Sequence, residues 1–325
     1  MKTWRTLLAV PLLAMSAALP AMAQERHAVI VTGAAGGAEY AVQYREWSAT
    51  FARTLIEQLG FQAERVVSLA DGDPPEAAAT AANVRARLTA LRRTLGRDDT
   101  LLVVLIGHGT FDGIDAKFNL VGPDLESAEW ASLFQGLRAR LVLVNAAPAS
   151  FPFLERLSGP RRIVISATDS AAQRFDTVFP EHFIGAFADA AADIDKNGRI
   201  SIWEAFVSAA AGIRRHFQQR GQLATERPLL DDNGDGIGRD ALAQGEDGSL
   251  ASRTYLDAAG SEAAPTDETL LRLLQRRAVL EAEADELKVK KTFMQPLEYA
   301  EEFERLMIEL ATVSRDIRRR LGAGS

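Results

Sequence analysis

Oxygen donors crowd one twelve-residue stretch of the chain, Asp193-Ile194-Asp195-Lys196-Asn197-Gly198-Arg199-Ile200-Ser201-Ile202-Trp203-Glu204. Asp193, Asp195, Asn197, Ser201 and Glu204 occupy its first, third, fifth, ninth and twelfth places. Carboxylate, amide and hydroxyl oxygens suit a hard divalent cation, and calcium takes several of them at once. Gly198 at the sixth place permits the sharp turn that wraps a loop around an ion, and Arg199 at the seventh offers its main-chain carbonyl. A second stretch, Asp231-Asp232-Asn233-Gly234-Asp235-Gly236-Ile237, starts 38 residues later and repeats the first half of the pattern. Asp231, Asn233 and Asp235 match the first three ligand places and Ile237 the carbonyl place, but Leu242 stands where the closing carboxylate belongs. A degenerate calcium site, paired with the first, and a plain Asx/glycine turn both fit it. The remaining chemistry is dispersed: His108 between two glycines, Asn145-Ala146-Ala147-Pro148-Ala149-Ser150, and Thr168-Asp169-Ser170. A histidine can act as general acid or base where a nucleophile faces it.

These residues need elements to hold them. Glu181 to Ala191 and Ile202 to Gln218 read as helices on either side of the first loop, which completes an EF-hand pattern, with Ile200 suited to a short strand. His27 to Gly33, Gln62 to Leu69, Thr100 to Ile106, Leu141 to Val144 and Arg162 to Ala167 read as short buried strands. Helical spacing fills the intervals at Tyr40 to Leu59, Asn83 to Leu95 and Ser127 to Leu137. Strands alternating with helices imply a mainly parallel sheet covered on both faces, a three-layer α/β sandwich. Functional residues of such sheets lie just past the carboxyl ends of the strands, where His108, Ala147 and Ser170 all fall. Gly33-Ala34-Ala35-Gly36-Gly37 after the first strand lacks both the dinucleotide fingerprint and a phosphate-binding lysine, so it reads as a tight strand-to-helix turn.

LLVVLIGHGTFDG, LVLVNAAPAS and HAVIVTGAAGGAEYAVQYREW, in their order along the chain, resemble the caspase-like clan of cysteine peptidases, its legumain-type branch in particular. The resemblance spans roughly residues 27–190. It implies a caspase-like sheet, with His108 as the family histidine and Asn145, Ala146 and Ala147 over the family's Asp-Ser-Cys. Ala147 then carries a methyl group where the thiolate nucleophile belongs, and the chain has no cysteine to replace it. The resemblance therefore implies a pseudo-peptidase with His108 vestigial, which would bind a protein or peptide partner. The alternative is a hydrolase in which His108 activates Ser150 or Ser170.

Met1 to Ala23 carries Lys2 and Arg5, an apolar run and an Ala21-Met22-Ala23 site, the pattern of a cleaved export signal, which points to a periplasmic or secreted protein. Losing Lys2 and Arg5 takes the formal charge from −7 to −9. So acidic a chain is unsuited to general nucleic-acid binding, and no later segment is apolar enough to span a bilayer. The absence of cysteine also excludes disulfides, thiolate zinc sites and iron–sulfur clusters. The expected organisation is a signal over 1–23, an α/β domain over 24–225 containing the EF-hand loop, a second Asp/Gly loop and linker over 226–264, and a helical hairpin over 265–325. In the last, Leu273, Leu280, Leu287 and Met294 recur every seventh residue, and Phe303, Leu306, Leu310, Val313, Ile317 and Leu321 at intervals of three and four.

Overall fold

The computed structural model describes residues 24–257 apart from 73 and 244, residues 294–322, and scattered positions between 269 and 291. The expected signal, at 1–23, lies outside the described residues, as does 258–268.

Six strands form the main sheet: β1 (Arg26–Thr32), β2 (Val66–Leu69), β3 (Thr100–Ile106), β7 (Arg140–Asn145), β8 (Arg162–Ser166) and β9 (Leu229–Asp231), in the order β2-β1-β3-β7-β8-β9. All neighbours pair in parallel except β8 with β9. Side chains alternate between the two faces. Ile30, Leu102, Val104, Val142, Val144, Ile163 and Ile165 pack under α1 (Ala38–Arg53), α5 (Phe179–Ala186) and α6 (Ile202–Gln219). Val29, Val31, Leu101, Val103, Leu105, Leu141, Leu143 and Val164 pack under α2 (Ala81–Thr94), α3 (Ser127–Leu133) and α4 (Phe151–Leu157). Strands buried on both faces are therefore largely apolar runs, as β3 is from Leu101 to Ile106. The result is the expected three-layer α/β arrangement, with a second sheet beside it: β4 (Gly109–Phe111), β5 (Ala116–Phe118) and β6 (Leu125–Glu126), all antiparallel.

Helix α1 crosses from β1 to β2 over one face and α2 from β2 to β3 over the other. Strand order thus reverses between β1 and β3, and a crevice opens past their carboxyl ends. The turns after both strands meet there: Gly33 N–H bonds to Ile106 O at 2.9 Å, and Gly107 takes φ 155° against the Gly33 backbone. A Cβ on Gly33 would lie 2.3 Å from Asn119 O, so only glycine fits.

One expected boundary changes. Strand β9 joins the sheet beyond residue 225, so the described part of the 226–264 segment is not a separate linker: Leu230 is buried in the core below α6. Residues 247–257 are packed rather than loose, with Asp247, Ala251, Thr254 and Leu256 all buried. Their content of Gly, Ser, Ala and acid reads as linker, but the acids and amides bond to each other and to neighbouring loops. Helix α7 (Pro296–Gly322) packs Leu306, Val313 and Ile317 against Leu280, Ala284 and Leu287. Arg276 pairs with Glu309 at 2.6 Å and Lys291 lies over the Tyr299 ring, so the two arms run antiparallel.

Candidate functional site

His108 sits in the crevice past β3, where Gly107 and Gly109 free the chain to turn. Its Nε2 lies 2.9 Å from Ala35 O, in the turn after β1. The Tyr44 hydroxyl, from α1, lies 3.3 Å from the same nitrogen. Asp176 Oδ1, from the segment entering α5, lies 3.5 Å from Nδ1. Tyr40, one turn before Tyr44 on α1, meets the imidazole edge-on at 4.8 Å and donates its hydroxyl to Asp176 at 2.6 Å. Burial pushes the Tyr44 phenol well above its ordinary range, and the bond to Asp176 raises that of Tyr40. Both phenols are therefore neutral donors near pH 7.

Ala147 follows the end of β7, the strand that pairs with β3. Its methyl is fully buried among the α2-side core residues, and its N–H bonds to Asn145 Oδ1 at 3.1 Å. Gly109, directly after His108, lies so close that a Cβ there would sit 2.2 Å from Pro148 O and 3.4 Å from the Ala147 Cβ. The segments carrying His108 and Ala147 are thus in van der Waals contact, as strands three and seven must be when they share a ladder. The serines point elsewhere. Ser150 is fully buried with its Oγ 3.2 Å from Thr168 Oγ1. Ser170 Oγ accepts the Ala172 N–H. Among the described residues, no serine hydroxyl bonds to His108. Sequence reasoning missed Tyr40, Tyr44 and Asp176; the two tyrosines four residues apart on one helix face were the available signal. Beside this crevice lies an open groove of about 360 Å³ lined by Phe111, Ile114, Phe151, Asp169 and Ser170.

The loop from Asp193 to Glu204 lies between α5 and α6. Asp193, Asp195 and Glu204 bring one carboxylate oxygen each within 4.8 Å of one another, and this cluster can hold a metal ion. Lys196 and Gly198 both turn left-handed, at φ 61° and 81°. Asp193 accepts the Asn197 and Gly198 N–H groups. Glu204 works twice over. Its Oε2 accepts the Ser201 N–H at 2.9 Å, the capping box that starts α6, and its Oε1 accepts the N–H groups of Ile194 and Asp195 at 2.9 and 3.2 Å. Burial, then the Glu204 charge, push Asp195 up to about 6. Three crowded carboxylates in an all-oxygen set fit a hard cation, which would relieve their repulsion. The bridge expected at Ile200 forms one residue later, Ser201 with Tyr255.

The second loop does not pair with the first. It follows edge strand β9 and packs on Gly159 and Glu155 of the α4 layer, whereas α5 and α6 belong to the opposite layer. Its backbone nevertheless repeats the first. Gly234 and Gly236 are left-handed at φ 86° and 78°, and Asp231 accepts the Gly236 N–H as Asp193 accepts that of Gly198. Asn233 Nδ2 bonds to Asp235 Oδ2 at 3.0 Å, with amide and carboxylate exchanged between the third and fifth places relative to Asp195 and Asn197. Ile237 donates its N–H to Asp235. Leu242, at the twelfth place, is exposed. Asp247 instead accepts the N–H groups of Asp232 and Asn233, at 2.9 and 3.2 Å, the two positions that Glu204 serves in the first loop. Burial pushes Asp247 up to about 6.

The fold and these sites define an α/β protein built on a mainly parallel sheet, with an acidic loop whose carboxylates can hold a metal ion. No family model matches the chain and no curated protein matches it. Among solved structures it is similar to a structural-genomics protein from Geobacter sulfurreducens, at 14% identity and TM-score 0.43, over 70% of this chain and 96% of that one. It is also similar to Raptor from Chaetomium thermophilum, at 10% identity and TM-score 0.34, over 90% of this chain but 25% of that one. Among the described residues no helix is long and apolar enough to cross a membrane.

Proposed function

We propose that this chain is an exported, calcium-binding pseudo-peptidase of the caspase/legumain-like clan that acts as a protein- or peptide-binding module. The observation that carries this reading is the company of His108. Its polar neighbours are a carbonyl, a carboxylate and a phenol held neutral, while the residue past the adjacent strand end is a buried alanine. None of these is the thiol or aliphatic hydroxyl that a histidine activates for attack on a peptide carbonyl. The strand order and the positions of His108 after β3 and Ala147 after β7 support the clan. The groove beside them, with apolar Phe111, Ile114 and Phe151, suits an extended peptide.

Calcium is the cation that the first loop fits best, through Asp193, Asp195, Asn197, the Arg199 carbonyl, Ser201 and Glu204. The second loop is a further calcium site in this reading, with Asp231, Asn233, Asp235 and the Ile237 carbonyl, and Asp247 in place of the missing twelfth residue. Exported modules of this type bind at about 10⁻⁴–10⁻³ M, which suits a structural staple.

The test is a panel of fluorogenic peptides and a fluorophosphonate serine probe applied to the calcium-saturated protein. No turnover and no labelling are expected. Turnover abolished by His108→Ala or Ser150→Ala would replace this reading with a serine hydrolase.

A further inference from the structure

In an EF-hand pair, each loop braces the other. Here a strap reaching in from much later in the chain braces the first loop instead. Residues 254–257 cross it: Ile202 N–H bonds to Thr254 O at 2.9 Å, and Ser201 bridges to Tyr255. Tyr255 and Asp257 then seize two residues at ligand places. Asn197 Nδ2 donates to the Tyr255 hydroxyl at 3.0 Å and to Asp195 Oδ2 at 3.0 Å. An amide nitrogen has two protons, and both are used. Its orientation is therefore set, and Oδ1, which accepts the Arg199 N–H at 2.8 Å, is the atom left with a spare lone pair. Arg199 is gripped on two sides. Its Nε bonds to both Asp257 oxygens, at 3.1 and 2.8 Å, its Nη2 bonds to Asp257, and its guanidinium lies 3.8 Å above the Tyr255 ring. A fixed side chain fixes its backbone, and the Arg199 carbonyl is the seventh-place ligand.

We propose that Tyr255 and Asp257 are positioning residues of the calcium site, and that metal occupancy and docking of the 254–257 strap reinforce each other. This rests on the first loop being a calcium site. Tyr255 takes one Asn197 amide proton and so fixes which end of the amide is left to accept, and Asp257 restrains Arg199 through its side chain. Outer partners of this kind set metal affinity by orienting the ligands. The strap also has anchors that owe nothing to the metal. Leu256 is buried in the core, and Arg26 bonds to Leu256 O. The strap therefore stays attached without calcium, and calcium tightens its outer half. By linkage, whatever factor docking adds to calcium affinity, calcium adds to docking.

Calorimetric calcium titration of the full chain tests this with Tyr255→Phe, Asn197→Asp and the double variant. Tyr255→Phe removes one hydroxyl and should weaken binding at the first loop about 2- to 10-fold, the range for one lost hydrogen bond. Asn197→Asp offers two equivalent oxygens, so orientation no longer matters and the Tyr255→Phe loss should disappear in that background. Hydrogen exchange of the peptide spanning 251–257 should slow when calcium is added to wild type, and less so in Asp257→Asn. An equal loss in both backgrounds would show a general weakening and overturn the positioning role, as would no loss in either. Unchanged exchange on adding calcium would overturn the coupling. Failure of the wild-type chain to bind calcium at all would be a failure of the underlying site and is separately visible in the first titration.

Discussion

Glu226 gives the sharpest quantitative test of how this fold is held around its crevice. It is 3% exposed and accepts the N–H groups of Val178 and Phe179, at 2.9 and 3.1 Å, at the start of α5. Those residues lie two and three places after Asp176, the partner of His108. Burial pushes the carboxyl from 4.5 to about 7, against the two backbone bonds that favour its charge. Because the folded value lies above the unfolded one, the folded state holds the proton more tightly. Stability is then greatest below the unfolded value and falls as pH rises from about 4.5 through about 7. At about 1.4 kcal/mol per unit, the whole loss is on the order of 3 kcal/mol by pH 8. Glutamine mimics the protonated carboxyl, so Glu226→Gln should match wild type near pH 5 and exceed it at pH 8. For a domain of this size that is roughly 6–12 °C in Tm. Differential scanning calorimetry in saturating calcium, at half-unit steps from pH 5 to 8.5, reads the difference while keeping the Asp195 and Asp247 sites in one state. Parallel curves for the two proteins, or a variant less stable at pH 8, would refute the argument that burial dominates the capping bonds.

Other outcomes follow from the loops and strand ends. Calcium at about a hundred times its Kd should stabilise the protein by about 2.7 kcal/mol for each occupied site. Asp193→Ala or Glu204→Gln should remove the first site's share of the thermal shift, and an undiminished shift would count against that loop. Asp247→Ala should lower the calorimetric calcium stoichiometry by one while leaving the first loop's affinity unchanged; full stoichiometry would return the second loop to a plain turn. Gly109→Ala forces a methyl onto Pro148 O and should cost about 1–3 kcal/mol in urea unfolding, the range for an overpacked site. A neutral effect would mean that the His108 and Ala147 segments are not pressed together.

The central sheet was legible because its strands are buried on both faces. Thr100 to Ile106, Leu141 to Val144 and Arg162 to Ala167 stand out as apolar runs, and the structure moves their ends by a residue at most. Short elements left no such trace. Strands β4, β5 and β6 have two or three residues each, and β9 has only Leu229-Leu230-Asp231, too few for a period to show. Helix α4 begins Phe151-Pro152-Phe153, which hides its spacing. The first acidic loop was legible because all its candidate ligands lie within twelve consecutive residues. Asp247 was not, because the carboxylate that accepts the second loop's N–H groups lies sixteen places from Asp231, beyond any twelve-residue window. The same is true of Tyr255, Asp257 and Asp176. Each reaches its partner through the fold, from 58 residues away for Tyr255 and Asn197 and from 136 for Asp176 and Tyr40.

The account stands or falls on whether His108 has anything to activate. Incubating the calcium-saturated wild-type chain with a proteome-derived peptide library, and reading new termini by mass spectrometry beside a His108→Ala control, asks this without choosing a substrate. The account predicts identical peptide sets from the two proteins. Termini produced by wild type and absent from His108→Ala would contradict it.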